Sequence, residues 1–312
     1  MLLKPDPSWE KKDPSKLKDF ERCDRFYFYR HLLGWEPETP NNHLTFGTSW
    51  HLPMEYLLLN GYDDDSVLAG YDLFEKRYRQ DFSPESDEMF GAKTPTNAFI
   101  ALAKYSDEYK NDLDKYDVKY TEIAGSVPIS ASRQLYFRMD SILRDKKTKD
   151  YSSLEHKTGS RTWQWADQWP LSIQIGTYTH VLHCLYPPET VDCVRMNATF
   201  FLARKKDNIE FMRVPVKKTL DQIQVWFYTM NHLFEQIEIN MEKLDRATED
   251  YTVMEAFPIN DEGCIKYGRL CEYHDFCTAW ANPLQRCQQP PLGFVERFWD
   301  PTEQEAKHEF KF

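Results

Sequence analysis

Apolar residues in the first third of the chain recur at the three- and four-residue spacing of a helix. The stretch LKDFERCDRFYFYRHLL predicts a first helix that contains Cys23. A second helix, within FGTSWHLPMEYLLLN, is expected to begin near Thr48 or Ser49. Residues 66–116 continue with acidic amphipathic helices, a pattern that indicates an inserted helical lobe.

After Tyr120 the spacing changes to that of strands. The segments VPISA, QLYFRMDSIL and DYSSLEHK are strand-like, and the polar run RDKKTKD predicts a hairpin between the last two. VRMNATFFLAR and IEFMRVPV predict a second hairpin around KKDN. The stretch LSIQIGTYTHVLHCLY is expected to be helical, and residues 217–246 form a long amphipathic pattern. This order predicts an α/β fold with a mixed central sheet flanked by helices.

Length and charge narrow the possible partners. The 312 residues carry a net charge of −11, which argues against binding nucleic acid through bulk attraction. Basic residues gather within 138–161 and 195–218, where either a local basic surface or ordinary solvated strand ends would explain them. No apolar run approaches the roughly 18 residues of a membrane span, and the start, MLLKPDPSWEKKD, lacks the apolar segment of a signal peptide. A cytoplasmic location, in a bacterium or a phage-infected cell, and no membrane partner are therefore expected.

An acid and a base on one predicted strand are the first candidates for chemistry. Side chains alternate along a strand, so Glu155 and Lys157 project to the same side. The predicted hairpin would bring Asp140 near Glu155. Two carboxylates repel each other, and a divalent cation such as Mg²⁺ or Mn²⁺ resolves the repulsion and can activate a bound water. A neighbouring lysine can orient that water and offset developing phosphate charge.

Two predicted helices add polar residues at four-residue spacing. Gly47, His51 and Glu55 share one helical face, and Gln174 and Tyr178 share another. His51 is a possible further metal ligand, although an isolated histidine is more often a hydrogen-bonded structural residue. Tyr178 could equally serve packing between helix and sheet.

Cysteines are concentrated near the end of the chain. Four of the seven fall in the last fifth, namely Cys264, Cys271, Cys277 and Cys287, and Cys23 stands alone near the start. In a reducing compartment such a group indicates metal binding more than disulfides. The tail could bind Zn²⁺, with His274 completing a set of three cysteines and one histidine.

Three tryptophans, Trp163, Trp165 and Trp169, follow Lys157 along the chain. Such side chains could stack on unpaired bases in a single-strand channel. A hydrophobic lid that packs on the core is an equally good explanation.

The order of these motifs resembles that of a known family. Over roughly residues 13–182 the chain resembles the RecB-type branch of the PD-(D/E)xK nuclease superfamily. The matching motifs are, in order, Gly47-x3-His51-x3-Glu55, Asp140, Glu155-x-Lys157 and Gln174-x3-Tyr178. The spacing Cys264-x6-Cys271-x5-Cys277, with a distant Cys23, is similar to the iron–sulfur members of that branch, which include CRISPR adaptation nucleases and phage exonucleases.

The resemblance implies a role for each matched residue. One or two Mg²⁺ or Mn²⁺ ions would be held by His51, Asp140, Glu155 and the backbone carbonyl of His156. Lys157 would position the attacking water. Gln174 and Tyr178 would contact the DNA backbone or steady Lys157, and Glu55 would orient His51. A structural 4Fe–4S cluster would be held by Cys23, Cys264, Cys271 and Cys277. Cys287 is a rival candidate for the fourth ligand.

The implied fold is restriction-endonuclease-like, with a helical lobe at residues 1–120, a nuclease core at 121–250 and a cysteine-rich tail at 251–312 that packs back on Cys23. The implied function is a metal-dependent DNA exonuclease acting at single-stranded or frayed ends, and a separate helicase or recombination protein is a candidate partner. Two alternatives are a catalytically inactive DNA-end-binding or assembly subunit of the same fold and a zinc-stapled interaction protein.

Overall fold

A computed structural model of the chain describes residues 3–203, 208–247, 255–266, 268–280, 289–303 and 306–312. Within these ranges the α-helices are α1 (Pro14–Arg22), α2 (Asp24–Tyr27), α3 (Asn42–Asn60), α4 (Asp64–Tyr78), α5 (Pro95–Tyr109), α6 (Asp112–Lys115), α7 (Ile173–Leu185), α8 (Leu220–Arg246) and α9 (His274–Ala279). The strands are β1 (Trp35–Pro37), β2 (Tyr116–Pro128), β3 (Gln134–Asp145), β4 (Tyr151–Gly159), β5 (Val191–Phe201), β6 (Ile209–Val216), β7 (Ile265–Lys266), β8 (Arg269–Leu270), β9 (Phe294–Glu296) and β10 (His308–Lys311). None of the described helices is long and apolar enough to cross a membrane.

Six strands form a mixed central sheet in the order β10-β2-β3-β4-β5-β6. The β3–β4 and β5–β6 pairs are antiparallel, which confirms both predicted hairpins, although residues 204–207 of the second turn lie outside the described residues. The β4–β5 pair is parallel, and the predicted helix α7 crosses between these two strands. The structure therefore confirms the predicted α/β fold of restriction-endonuclease type.

The sheet divides between β3 and β4. These strands pair only over Ser141–Arg144 and Tyr151–Leu154. Beyond that short ladder β3 stays paired with β2 as far as Gln134, and β4 stays paired with β5 as far as Gly159. The two strands thus separate at the level of Asp140 and Glu155, and they leave a fork in the middle of the sheet.

Apolar packing builds two principal cores. The larger one joins α1, α7 and α8 to the sheet through fully buried side chains such as Leu17, Met196 and Ile237. The second lies in the helical lobe, where Phe46 and Trp50 pack against Phe201 of β5 and Phe74 packs against both of them. Because α3 contacts both β3 and β4, its side chains can reach the fork.

Two predicted helix boundaries are wrong, and the local backbone structure explains both. Helix α3 begins at Asn42 and not near Thr48 or Ser49, because the side chain of Asn41 caps it by accepting from the His43 N–H at 2.9 Å. Cys23 does not lie inside one continuous helix. Its extended backbone ends α1 and begins α2.

The end of the chain returns to the main sheet. Strand β10 adds beside β2 in parallel, and β9 pairs with β1 near the start of the chain. This approach requires Gly125, because a Cβ there would lie 1.8 Å from the Phe310 carbonyl oxygen. The predicted domain boundaries at residues 120 and 250 stay a prediction.

Candidate active site

Side chains take over the hydrogen bonding where β3 and β4 separate. The backbone N–H of Asp140 donates to Glu155 Oε1 at 3.2 Å, and the backbone N–H of His156 donates to Asp140 Oδ2 at 2.7 Å. These two bonds replace the ladder that ends one residue earlier, and they hold both carboxylates in the fork. The structure therefore brings together the two acids that the sequence analysis paired.

A histidine reaches the same point from the helical lobe. The Nδ1 atom of His51, on α3, lies 3.1 Å from Asp140 Oδ1. Asp140 thus contacts His51 with one carboxylate oxygen and the His156 backbone with the other. The predicted grouping of His51 with Asp140 is present.

The two acids have opposite electrostatic environments. Burial acts to raise the pKa of Asp140, but His51 and Lys157 oppose it and hold the pKa well below its usual range. For Glu155, burial and then the charge of Asp140 raise the pKa well above its usual range. The pair therefore resists carrying two negative charges unless a cation joins it.

An unpaired oxygen marks where such a cation fits. Glu155 is 1% exposed, and its Oε2 atom is buried with no hydrogen-bond partner. Two carboxylates, an imidazole and a backbone carbonyl are a donor set that suits Mg²⁺ or Mn²⁺. Across the described residues, however, no three His, Cys, Asp or Glu side chains already converge as a metal cage. Asp140 and Glu155 nevertheless supply the carboxylate oxygens that a hard cation prefers.

Helix α7 supplies a connected pair on the other side of the acids. Gln174 Nε2 donates to the Tyr178 hydroxyl at 2.7 Å, and that hydroxyl donates to the backbone carbonyl of Arg138 on β3. Burial, with the nearby charges of Glu155 and Asp140, raises the pKa of Tyr178 well above its usual range, so the hydroxyl keeps its proton. This chain fixes α7 to the strand that carries Asp140.

A cleft of about 1040 Å³ opens beside these groups. Its walls include Lys157, Gln174 and Tyr178, together with residues from α1, the start of α8 and the loop before α7. A polymer that entered this cleft would meet Lys157 on the face that also carries Glu155.

Glu55 forms an ion pair with Lys307, whereas the prediction was that it contacts His51. Its Oε1 atom lies 2.8 Å from Lys307 Nζ, just before β10. This ion pair ties α3 to the returning end of the chain. The proposed role of Glu55 in orienting His51 stays a prediction.

The ring of His156 points away from the acids, into a buried polar network. Its Nδ1 atom lies 3.1 Å from Asn197 Nδ2, which also donates to the Tyr105 hydroxyl at 2.7 Å. Burial lowers the pKa of His156 to about 3, so the ring is neutral. Arg213 closes the network through Asn197 at 3.0 Å and through an ion pair with Asp112 at 2.8 Å. No local sequence pattern indicates this network, because its members come from five separate elements.

The cysteine residues of the two chain ends approach each other. Cys23 accepts a hydrogen bond from the Asn260 N–H at 3.3 Å, and the Cys271 N–H donates to the Cys264 carbonyl at 2.8 Å. Burial raises the pKa of the Cys277 thiol, to which Cys23 and Cys264 lie close enough to contribute. In the described ranges these cysteines do not form a closed set of three metal ligands.

Two alternatives for the tail stay predictions. His274 is the candidate zinc ligand, and its Nδ1 atom lies 3.4 Å from Oδ1 of the neighbouring Asp275. Cys287, the rival fourth cysteine, lies outside the described residues.

Lys93 is a buried lysine near the site that the sequence analysis did not single out. It lies between α4 and α5, is only 5% exposed, and its Nζ atom donates to Thr158 Oγ1, one residue beyond Lys157, at 2.9 Å. Among the described residues no carboxylate pairs with it, and burial lowers its pKa to about 8. No sequence pattern marks this contact, because it joins an irregular segment of the helical lobe to the end of β4.

Replacing Lys93 with methionine should stabilise the protein at neutral pH by about 2 kcal/mol, since it removes a buried ammonium group. The folded-state pKa of about 8 lies below the ordinary lysine value of 10.5, so the cost of burying the charge is complete below pH 8. As pH rises from 8 towards 10.5 the wild type loses that cost and its stability approaches that of the variant. Urea unfolding across this range measures the difference, and a difference that grows with pH would contradict this account.

A comparison of the sequence with models of known protein families identifies a nuclease family, which agrees with the paired acids in the fork. A model of the PD-(D/E)XK nuclease superfamily matches residues 14–278. Because this match covers most of the chain, the protein belongs to the PD-(D/E)XK nuclease superfamily.

Two solved structures are similar to this chain. One is the crystal structure of a "Putative exonuclease" from Eubacterium rectale, with 14% identity and a TM-score of 0.45 over 87% of this chain and 88% of that chain. The other is the crystal structure of SSO0001, with 12% identity and a TM-score of 0.26 over 67% and 81% of the two chains. No curated protein matches.

Proposed function

We propose that the protein is a divalent-metal-dependent deoxyribonuclease that hydrolyses phosphodiesters in the fork between β3 and β4. The observation that carries this proposal is the buried, unpaired Oε2 atom of Glu155 beside Asp140. A buried polar atom without a partner is costly, and a shared cation would satisfy it while relieving the repulsion between the two carboxylates.

Four groups would hold the metal: the side chains of His51, Asp140 and Glu155 and the backbone carbonyl of His156. Mg²⁺ or Mn²⁺ bound there would supply an activated water and neutralise charge on the phosphate. Lys157 shares the Glu155 face of β4, so its ammonium group orients the nucleophilic water and offsets charge that develops on the phosphate oxygens. Tyr178, held by Gln174 and by the Arg138 carbonyl, positions α7 against the substrate backbone.

The substrate we infer is a DNA strand with a free, single-stranded or frayed end, and the reaction is exonucleolytic. The cleft beside Lys157 supports this choice, because its walls mix lysines with exposed apolar side chains. An inactive end-binding or assembly subunit is the second candidate, but the full set of Asp140, Glu155 and Lys157 favours an enzyme. A helicase or recombination partner would be a separate chain.

A structural 4Fe–4S cluster held by Cys23, Cys264, Cys271 and Cys277 is a further part of the proposal. It is supported by the hydrogen bond from Asn260 to Cys23 and by the influence of Cys23 and Cys264 on the pKa of the Cys277 thiol. Such a cluster would tie the first helix to the tail, with no redox step required by hydrolysis. Iron and sulfide analysis of anaerobically purified protein tests it, and stoichiometric zinc without iron would contradict it.

A digestion assay with end-blocked substrates tests the nuclease proposal. Labelled single-stranded DNA with a free end should be degraded in the presence of Mn²⁺ or Mg²⁺ and should survive in EDTA. A circular single strand of the same length should survive in both conditions, because it offers no end. Equal degradation of the circle would contradict exonucleolytic action, and survival of every substrate would favour the non-catalytic alternative.

A further inference from the structure

The loop between β4 and α7, residues 160–172, is named here the rim loop, because it connects Lys157 to Gln174 and borders the cleft. Two large apolar side chains of this loop face solvent: Trp163 is 81% exposed and Leu171 is 92% exposed. Leu171 lines the cleft itself. Large apolar side chains this exposed, at the border of a site, indicate a surface that something covers.

The rim loop is anchored in place. Trp169 is buried, and the ring of Trp165 packs edge-on against it at 5.1 Å and against Phe200 at 5.4 Å. Lys218 Nζ also donates to the Pro170 carbonyl at 2.7 Å. Of the three tryptophans singled out in the sequence, two therefore belong to the packed base of the loop, and Trp163 projects from it.

A strained residue separates the inward and outward tryptophans. Gln164 has a φ of 55°, in the left-handed region that a residue with a side chain rarely occupies. It stands between exposed Trp163 and partly buried Trp165. The backbone thus adopts an unfavourable conformation at the point where Trp163 turns away from the core.

The charge of the cleft identifies the occupant as an anion. Its lining includes five basic residues, Lys18, Arg138, Lys157, Lys218 and Lys266, against three acids, Asp13, Glu21 and Asp221. Asp13 caps α1 and accepts from the Trp299 indole N–H at 3.1 Å, and Arg138 forms an ion pair with Glu122 at 2.7 Å. The lysines Lys18, Lys157, Lys218 and Lys266 still outnumber the acids of the cleft. A basic surplus in the cleft of a chain with a net charge of −11 suits a phosphate backbone.

We propose that the rim loop is a base-stacking platform for the unpaired end of a DNA strand. Trp163 and Leu171 cover the faces of one or two bases while the strand's phosphates follow the lysines towards Lys157. A paired base hides its faces within the duplex stack, so only an unpaired one offers the surface that these side chains need. This inference rests on the proposed function, because it takes DNA as the polymer in the cleft.

Binding measured in EDTA separates this inference from catalysis. The probes are a fluorescein-labelled oligothymidine and an abasic oligonucleotide of the same length, which carries the phosphates without the bases. Trp163→Ala should weaken oligothymidine binding about tenfold, the loss expected for one stacked base, and leave abasic binding unchanged. Leu171→Ser should act in the same direction with a smaller loss. Leu292→Ser, at a fully exposed position of the tail, is the matched control and should change neither affinity.

Each other outcome has a definite meaning. Equal losses for both probes, or no loss for either, would overturn the stacking role, as would failure of the wild type to bind oligothymidine. A wild type that dimerises while Trp163→Ala is monomeric would assign the surface to self-association. Base-dependent binding without hydrolysis would contradict the nuclease proposal and support the stacking platform. Hydrolysis without base-dependent binding would support the nuclease proposal and contradict the platform.

Discussion

Replacing Asp140 with asparagine is expected to lower the rate of DNA hydrolysis about a thousandfold or more, because it removes a charged metal ligand whose contribution is several kcal/mol. The fold should persist. The asparagine oxygen can still accept from the His156 N–H, which lies 2.7 Å from Asp140 Oδ2 in the wild type. Removing the charge of Asp140 also removes one of the two main causes that raise the pKa of Glu155. Turnover of end-labelled single-stranded DNA in Mn²⁺ measures the effect.

The matched control is Asp117→Asn. Asp117 lies on β2 of the same sheet, and its carboxylate lies 4.0 Å from Lys146 Nζ in a distant ion pair. This variant should retain full activity and stability. An Asp140→Asn protein that cleaves DNA at the wild-type rate would show that the fork is not the active site.

Replacing Lys157 with methionine is expected to lower turnover about a hundredfold to a thousandfold, the range found when one group that stabilises developing charge is lost. Lys157 also lowers the pKa values of both Asp140 and Glu155 through its charge. Because the lysine is not a ligand, the variant should still bind Mn²⁺. Single-turnover rates measured at saturating DNA separate the loss in kcat from any change in binding.

Lys147→Met is the control, since Lys147 is an exposed lysine of the β3–β4 hairpin. It should cleave as the wild type does. If Lys157→Met instead lost Mn²⁺ binding together with activity, the residue would be supporting the metal site and not the nucleophile.

Much of the candidate site follows from the sequence because it depends on local rules. The alternation of a strand places Glu155 and Lys157 on one face, and the short turn between β3 and β4 fixes Asp140 opposite Glu155. Four-residue spacing on a helix places Gln174 beside Tyr178, and the two side chains form a hydrogen bond.

Other features depend on contacts between distant segments, which no local pattern reveals. Strand β10 joins the sheet only because Gly125 leaves room for its backbone. Lys93 reaches Thr158 from an irregular segment of the helical lobe. The break at Cys23 interrupts an apolar pattern that is otherwise helical, where the tail supplies Asn260 as a partner.

The three tryptophans illustrate the same limit within one loop. Sequence alone leaves stacking and packing equally good explanations for all of them. The structure distinguishes them, because Phe200 of β5 provides a packing partner for Trp165 and none of the described aromatic rings packs against Trp163. Burial of a side chain is decided by what the rest of the chain places beside it.

The most direct test of the central claim is the position of Mn²⁺ in crystals of the protein. We predict an anomalous difference peak in the fork, about 2.1 Å from carboxylate oxygens of both Asp140 and Glu155, the distance typical of hard divalent cations. The peak should be absent from crystals of Asp140→Asn grown under the same conditions. Wild-type crystals with no peak in the fork, or with one that contacts neither carboxylate, would contradict the account.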